Sequence, residues 1–214
     1  LPNHLIRKLY VIYQSAKPLP SPRKLSKRNF DICVVGHLRQ EKDPLRAALA
    51  VRLLPKASRV RLFHLGKAHN DDWAHAAIKE QSQNFRYHWL GDVPGWRVRR
   101  ELTKTCLMAL TSNQEGGANV ISEAIVAGVP IVASNIPGNT GLLGMDYPGL
   151  YPLGDEHALA KIFLQAEDDP AFLKRLENTC NLLRPKFLPK CESDKWNNLI
   201  TDVASQAQGR YQPS

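Results

Sequence analysis

The sequence predicts an α/β fold, a Rossmann-like parallel sheet with helices on both faces. From residue 31 onward, short apolar runs alternate with amphipathic helical patterns along the chain. Strands that are separated by helices need crossover connections, and such connections make neighbouring strands parallel. Both faces of the sheet are then covered, and a ligand crevice is expected outside the carboxyl ends of the strands.

The strands are predicted from short apolar runs. The first, DICVVG at 31–36, ends in glycine and is typical of a strand buried in a parallel sheet. Five further strands are predicted at 59–66, 85–91, 106–112 and 130–134 and near 150–154.

The helices are predicted from capping residues and apolar spacing. Asp43 and Pro44 suit the N-cap and the first position of a helix, and Asn70 or Asp71 suits the N-cap of the next one. The later helices are predicted at 71–81, 96–104, 118–127, 155–167, 170–183 and 192–207.

Residues 1–28 differ in character from the rest of the chain. KLYVIYQSA is a candidate strand, and KPLPSPRKLSKR, rich in proline and basic residues, is typical of an exposed linker between domains. The chain also lacks an initiator methionine, which indicates a piece of a longer protein. We therefore expect the end of an N-terminal domain plus a linker at 1–28, the Rossmann-like domain at 29–190 and a terminal helix at 191–214.

Composition excludes several classes of protein. Hydrophobic residues make up 43% and charged residues 23% of the 214 positions, unlike a disordered or fibrous chain. No apolar run reaches the roughly 18 residues of a membrane helix, and no signal peptide is evident. The four cysteines form no CxxC pair, which favours reduced thiols in a cytoplasmic protein. The net charge of +9 suits an anionic partner: a nucleotide, a phosphate, a nucleic acid or an acidic membrane surface.

The most informative stretch is SNQEGGANVISEAIVAGVPIVAS at 112–134. Glu115 and Glu123 have an E-x7-E spacing, and Gly116 and Gly117 form a turn that enters a helix. Free N–H groups and the helix dipole at such a turn favour a diphosphate or a sugar hydroxyl. Asn119 shares a helix face with Glu123. The alternative is that the two carboxylates are simply a solvated helix start and a solvated face.

A second candidate site is the turn GHLRQEKDP at 36–44, after the first strand. Gly36 ends the strand at the crevice, next to His37, and Arg39 and Lys42 follow on the loop. These two cations would neutralise a diphosphate, although they also fit an ordinary basic surface. The loop matches neither the P-loop pattern nor G-x-G-x-x-G, which argues against a dinucleotide dehydrogenase.

The glycine-rich segment SNIPGNTGLLG at 134–144 is predicted to be a flexible loop that can close over a bound ligand; the alternative is an ordinary cluster of turns. The seven histidines form no metal-binding pattern, and no D-x-D motif is evident, so we expect no metal.

A basic cluster is predicted to be a solvated face, with an anionic membrane surface or a nucleic acid as the alternatives. Its members are Arg86, Arg97, Arg99, Arg100 and Lys104.

Together these segments resemble the C-terminal, donor-binding half of a family-4 glycosyltransferase of GT-B fold. The resemblance covers about residues 10–207 and rests on GHLRQEKDP, the E-x7-E helix and the AGVPIVAS that follows it. More narrowly, GHLRQEKDPLRAALA, EGGANVISEA and SNIPGNTGLLGMDYPGLYPLGD are similar to selenosugar synthases of selenoneine biosynthesis. That subgroup implies transfer of a glycosyl group from a UDP-sugar to selenophosphate.

The resemblance assigns roles to individual residues. Lys42 matches the family's diphosphate-binding lysine, while His37 stands where the family usually has arginine, and Arg39 is expected to replace it. Glu123 matches the glutamate that binds ribose hydroxyls. The segment that holds the donor sugar and phosphates matches Glu115, Gly116, Gly117 and Ala118. The full expected donor site adds Gly36, Asn119 and Val120, and its catalytic residues are Glu115, Lys42 and Arg39.

The resemblance also implies a mechanism. The reaction takes place in a cleft between two domains, so the partners are the UDP-sugar and the protein's own N-terminal acceptor domain, with no cofactor and no metal. This donor-binding half is then expected to bind UDP weakly and to catalyse no transfer without the other domain. An ordinary glycosyltransferase with a hydroxyl acceptor and a non-catalytic nucleotide-binding module remain the alternatives. We expect no nucleic-acid partner, since no RRM, KH or helix-turn-helix signature is present.

Overall fold

The computed structural model describes Leu5, residues 8–117 and residues 119–209. Its centre is a parallel sheet of six strands. These are β1 (Phe30–Val35), β2 (Val60–Leu65), β3 (Tyr87–Trp89), β4 (Leu107–Leu110), β5 (Ile131–Ser134) and β6 (Leu150–Tyr151). Their order in the sheet is β3-β2-β1-β4-β5-β6, and every neighbouring pair is parallel. The predicted fold class is confirmed.

Helices cover both faces of this sheet. They are α1 (Arg46–Arg52), α2 (Asp71–Gln83), α3 (Gly95–Leu102), α4 (Asn119–Ala127), α5 (Pro137–Leu143), α6 (Glu156–Asp168), α7 (Pro170–Leu183) and α8 (Pro189–Gly209). Short 3-10 turns lie at Gln40–Lys42 and Arg184–Phe187. Helix α1 packs against α6, and α4 packs against α7. Within the described ranges, no helix combines the length and the apolar character that crossing a membrane requires.

The core is built from the central strands. Ile32 of β1 lies beside Leu62 of β2 and Leu107 of β4, and all three are completely buried. Burial of each such side chain contributes about 1.5–3 kcal/mol relative to leaving it exposed. Strands β4 and β5 are buried along their whole length, which explains why their sequences LMAL and IVAS are almost entirely apolar.

The strand order places the crevice. The chain runs outward from β1 to β2 and β3, then returns to the other side of β1 with β4. Loops that follow β1 and β4 therefore leave the sheet side by side, at the point where the order reverses. These loops include residues 36–42 and 111–117, the segments that carry the two strongest sequence motifs.

The first helix begins later than predicted. Asp43 is not its N-cap: this residue has a left-handed φ of 42° and follows the 3-10 turn, and α1 begins at Arg46. The Asp43 carboxylate instead accepts a hydrogen bond from Arg46 Nε at 2.7 Å. The next cap is confirmed, because Asn70 Oδ1 accepts from the Trp73 backbone N–H at 3.0 Å.

The segment predicted to be a flexible loop at 134–144 contains a helix instead, α5. Pro137 stands at its first turn, where the missing proline N–H is not needed. Gly138 packs directly on the neighbouring loop, since a Cβ there would lie 2.1 Å from the carbonyl oxygen of Glu115. Asn139 and Leu143 are buried. Tertiary packing thus fixes a glycine-rich segment that has little helix propensity of its own.

The candidate strand in KLYVIYQSA is also wrong, because residues 8–16 form no strand. This segment pairs with helical elements rather than with a sheet edge: the Ala16 N–H donates to the Phe187 carbonyl at 3.0 Å, and the Ser15 N–H donates to Glu192 Oε2 at 2.8 Å. Farther along, Arg23 donates to the carbonyls of Gly128 and of Thr105. Side-chain and backbone bonds therefore hold residues 15–23 against the sheet domain.

One member of the predicted solvated basic face is buried. Arg86 is only 4% exposed, and its guanidinium donates to the carbonyls of Pro55 at 2.7 Å and Ser58 at 2.8 Å. It therefore closes the loop before β2 rather than facing solvent. Cys33, Cys106, Cys180 and Cys191 form no disulfide in the structure.

Candidate functional site

A cavity of about 380 Å³, the Lys42 cavity, opens at the carboxyl ends of β1 and β4. Most of the predicted donor-site residues meet in its wall. These are Gly36, His37, Arg39, Lys42, Glu115, Gly117, Asn119 and Val120. The loops after β1 and β4 supply this wall, as the strand order requires. Within this site, Ala118 falls in the gap between the described ranges.

The central contact of the cavity is an ion pair between Lys42 and Glu115. Lys42 Nζ donates to Glu115 Oε1, and Ser112 Oγ donates to the same oxygen at 2.6 Å. The two charged side chains are only 20% and 9% exposed. Thr111 Oγ1 also donates to the Lys42 carbonyl at 2.9 Å, which ties the two loops together. The sequence predicted separate roles for Lys42 and Glu115 and did not predict that they bind each other.

Arg39 and His37 lie at the rim of the same cavity. Arg39 Nε is 3.0 Å from Glu41 Oε1, and both side chains are 42% exposed. Exposed pairs of this kind contribute about 1 kcal/mol or less, so a bound anion competes easily for Arg39. His37 Nδ1 accepts a hydrogen bond from the Lys67 N–H at 3.1 Å, which holds its ring against the loop after β2.

The turn into α4 opens on two cavities. Gly117 has a φ of +127°, in the region that favours glycine, and lines the Lys42 cavity as well as a neighbouring cavity of about 520 Å³. Asn119 also lines both, whereas Gly116 lines only the larger one, together with Gly138 of α5. The N-terminal end of α4, with its positive dipole, thus faces space where an anion can bind.

Glu123 lies farther along α4, in a third cavity of about 410 Å³. This cavity shares Val35 and Val98 with the Lys42 cavity, so the two are contiguous. Partial desolvation raises the pKa of the Glu123 carboxyl, and the charge of Arg99 opposes that rise. Its carboxylate makes no hydrogen bond to any residue that the structure describes. It is therefore available to accept hydrogen bonds from the hydroxyls of a ligand.

Sequence reasoning missed several residues of the Lys42 cavity. Gly66 follows β2, and Asp92 and Val93 follow β3; all three line the cavity. The rule that ligands bind beyond the carboxyl ends of strands would have pointed to them, since Gly66 ends one predicted strand and Asp92 and Val93 come just after another. Gly66 allows the loops to approach each other, because a Cβ there would lie 1.9 Å from the Gly36 carbonyl oxygen.

The described part of the chain shows no cluster of three or more His, Cys, Asp or Glu side chains with the geometry of a metal site. The charged groups that line the Lys42 cavity among these residues are two cations, Arg39 and Lys42, and two carboxylates, Asp92 and Glu115. A phosphate in this cavity would meet the cations Arg39 and Lys42.

The family described as "Glycosyl transferases group 1" matches residues 19–180, about three quarters of the chain. The chain belongs to this family. The Lys42 cavity of this group 1 glycosyltransferase domain is built entirely from residues inside the matched region. No protein of curated function matches the sequence.

Solved structures confirm the fold of the group 1 domain. Anabaena HepE, solved in complex with UDP and glucose, is 20% identical, with a TM-score of 0.71 over 83% of this chain and 48% of its own. Sucrose-phosphate synthase from Thermosynechococcus elongatus is 18% identical, with a TM-score of 0.71 over 91% of this chain and 50% of its own. Pneumococcal O-GlcNAc transferase GtfA, solved with UDP and GlcNAc, is 19% identical, with a TM-score of 0.69 over 90% of this chain and 38% of its own. The chain thus spans half or less of the length of these proteins.

Proposed function

We propose that this domain is the donor-binding half of a glycosyltransferase that uses a UDP-sugar. The observation that carries the proposal is the cavity at the reversal of strand order, where Arg39, Lys42 and the start of α4 converge. Cations and backbone amides at one point suit a diphosphate. Several structures of the same fold, including Anabaena HepE, were solved with UDP.

The geometry suggests how the donor lies. The diphosphate occupies the Lys42 cavity, and the ribose hydroxyls reach Glu123 in the contiguous one. Glu115, Gly116, Gly117 and Ala118 then meet the sugar and its phosphates. When the bond between the anomeric carbon and the β-phosphate oxygen breaks, Arg39, Lys42 and the α4 amides stabilise the negative charge on UDP. No cofactor is needed for this step, and we propose none.

The rest of the assembly follows from this role. The acceptor binds to the protein's own N-terminal domain, which precedes a hinge within residues 1–28, and α8 at the end of the chain extends toward that domain. The domain boundaries stay those predicted, 1–28, 29–190 and 191–214. We place the protein in the cytoplasm without a nucleic-acid partner. Peripheral contact of the exposed Arg97 and Arg100 with an anionic membrane remains a subordinate proposal.

The acceptor we propose is selenophosphate. Its selenium would attack the anomeric carbon, form a carbon–selenium bond and release UDP. The three segments quoted above support this narrower assignment, and a hydroxyl acceptor is the competing one. With both domains present, formation of a selenosugar phosphate supports selenophosphate, whereas transfer only to hydroxyl compounds supports the competitor. Binding of UDP-sugar with no transfer to either supports a non-catalytic nucleotide-binding module.

Donor binding is tested by calorimetric titration with UDP, UDP-N-acetylglucosamine and NADH. Loss of Lys42 or Glu123 removes a charged hydrogen-bonding group, so Lys42→Ala and Glu123→Ala are each expected to weaken UDP binding about 10- to 100-fold. Asp194→Ala is the matched control, because this exposed carboxylate lies on α8, outside the three cavities. Absence of UDP binding, or equal losses in all three variants, contradicts the proposal.

A further inference from the structure

His64 is a buried histidine that the proposed donor site does not yet use. It is the fifth residue of β2 and is only 1% exposed. Its ring lies between two partners: Nε2 is 3.0 Å from the Gly36 carbonyl oxygen, and Nδ1 is 3.1 Å from the Tyr87 hydroxyl oxygen. It thus joins β2 to β3 on one side and to the end of β1, at the mouth of the cavity, on the other.

The partners fix the position of the ring proton. A carbonyl oxygen can only accept, so Nε2 must carry the proton that it donates to Gly36. Nδ1 of the neutral ring then accepts from the Tyr87 hydroxyl, and both ring nitrogens are satisfied. Burial lowers the pKa of His64 to about 4, which agrees with a neutral ring at neutral pH.

The carbonyl that His64 holds belongs to the peptide unit at the start of the phosphate-facing loop. The C=O of Gly36 and the N–H of His37 share one planar trans peptide, so they point in opposite directions. With the carbonyl turned inward to His64, the His37 N–H turns outward, toward the cavity that Gly36 and His37 line. This N–H has no partner among the described residues.

A second contact clamps the same peptide. Gly66 packs so closely that a Cβ on it would lie 1.9 Å from the Gly36 oxygen and 2.9 Å from the His37 nitrogen. Gly66 is itself held, because Trp89 Nε1 donates to its carbonyl at 2.9 Å. The peptide therefore has one hydrogen-bonded partner and one packed face, both supplied by the end of β2.

We propose that His64 is a positioning residue for donor binding: its Nε2–H holds the Gly36 carbonyl in the core and thereby aims the His37 N–H at the donor diphosphate. The inference rests on the proposed function, since it assumes that the diphosphate occupies the Lys42 cavity. His64 itself does not touch the donor. Its effect passes through one rigid peptide unit.

The test compares UDP with uridine, which lacks the diphosphate. His64→Leu removes the donor to Gly36 and is expected to weaken UDP binding about 10-fold, the effect of losing one hydrogen bond to a charged group, while leaving uridine binding unchanged. His64→Gln keeps an N–H at the position of Nε2 and is expected to stay within about threefold of the wild type. Tyr147→Phe, the matched control, removes a buried hydroxyl bonded to Ile131 and is expected to leave both affinities unchanged.

Equal loss of UDP and uridine binding in His64→Leu, or no loss of either, overturns the inference. Two measurements without nucleotide keep it separate from the proposed function. A long-range proton–nitrogen NMR spectrum is expected to show His64 protonated at Nε2 only, and amide exchange at residues 36–39 is expected to rise in His64→Leu but not in His64→Gln. A ring protonated at Nδ1, or unchanged exchange, overturns the positioning role. If the wild type binds no UDP, the proposed function fails, and these two measurements still decide the role of His64.

Discussion

The buried ring of His64 leads to a quantitative prediction about stability and pH. Burial lowers its pKa to about 4 in the folded protein, and the hydrogen bond to Gly36, which favours the protonated ring, opposes this only in part. In the unfolded chain the pKa returns to about 6.5. Tyr87, its other partner, stays neutral through this range because burial raises its pKa.

The sign follows from proton linkage. The unfolded chain binds a proton below about pH 6.5, whereas the folded protein resists protonation down to about pH 4. The contribution of the neutral His64 ring to the free energy of unfolding is therefore fully present above about pH 6.5 and is lost as the pH falls toward 4. Because pH 5 lies about 1.5 pH units below the pKa of this histidine in the unfolded chain, protonation stabilises the unfolded state by about 2 kcal/mol at that pH.

The assay is urea unfolding at pH 7 and pH 5 for the wild type and His64→Gln. Because glutamine does not titrate, the wild type is expected to lose about 2 kcal/mol more than His64→Gln between these pH values. His75→Gln is the matched control, since this histidine is exposed on α2, and it is expected to follow the wild type. Equal losses in the wild type and His64→Gln would refute the reasoning that His64 is buried and neutral.

Three further predictions concern the cavity loops and the N-terminal segment. Glu115→Gln is expected to raise the affinity for UDP about threefold in calorimetry, because it frees Lys42 and removes a negative charge beside the diphosphate. Gly66→Ala forces a Cβ against a backbone oxygen and is expected to lower unfolding free energy by about 1–3 kcal/mol in urea, whereas Gly116→Ala, with open space at its Cβ, is expected to be near neutral. Arg23→Ala leaves two backbone carbonyls without their donor and is expected to cost about 1–3 kcal/mol in the same assay.

The sheet could be predicted from the sequence because its signals are local. A strand such as Leu107–Leu110 is buried on both faces, so its residues are apolar whatever lies around them. The direction of the connections then places the ends of β1 and β4 side by side. Gly36, Lys42 and Glu115 could be named before the structure was known because they lie at the ends of predicted strands, where a ligand crevice is expected, and because their motifs resemble the glycosyltransferase family.

The predictions that failed depend on contacts between distant segments. Arg86 resembles any surface arginine in sequence, and only the carbonyls of the loop at 55–58 show that it is buried. Residues 137–143 have the composition of a loop, yet they form a helix that packs through Gly138 on Glu115. No local pattern reports such contacts.

The charge balance of the cavity changes how the basic composition should be interpreted. The net charge of +9 suggests a surface ready for anions, yet Lys42 is bound to Glu115, and Arg39 lies beside Glu41. A diphosphate therefore does not meet an empty positive pocket; it competes with Glu115 for Lys42. Displacing Glu115 costs UDP part of its binding energy, but it releases a carboxylate beside the sugar. A UDP-sugar can recover this cost through the hydroxyls of the sugar that it donates, whereas UDP cannot. The ion pair would thus favour the donor over the product UDP.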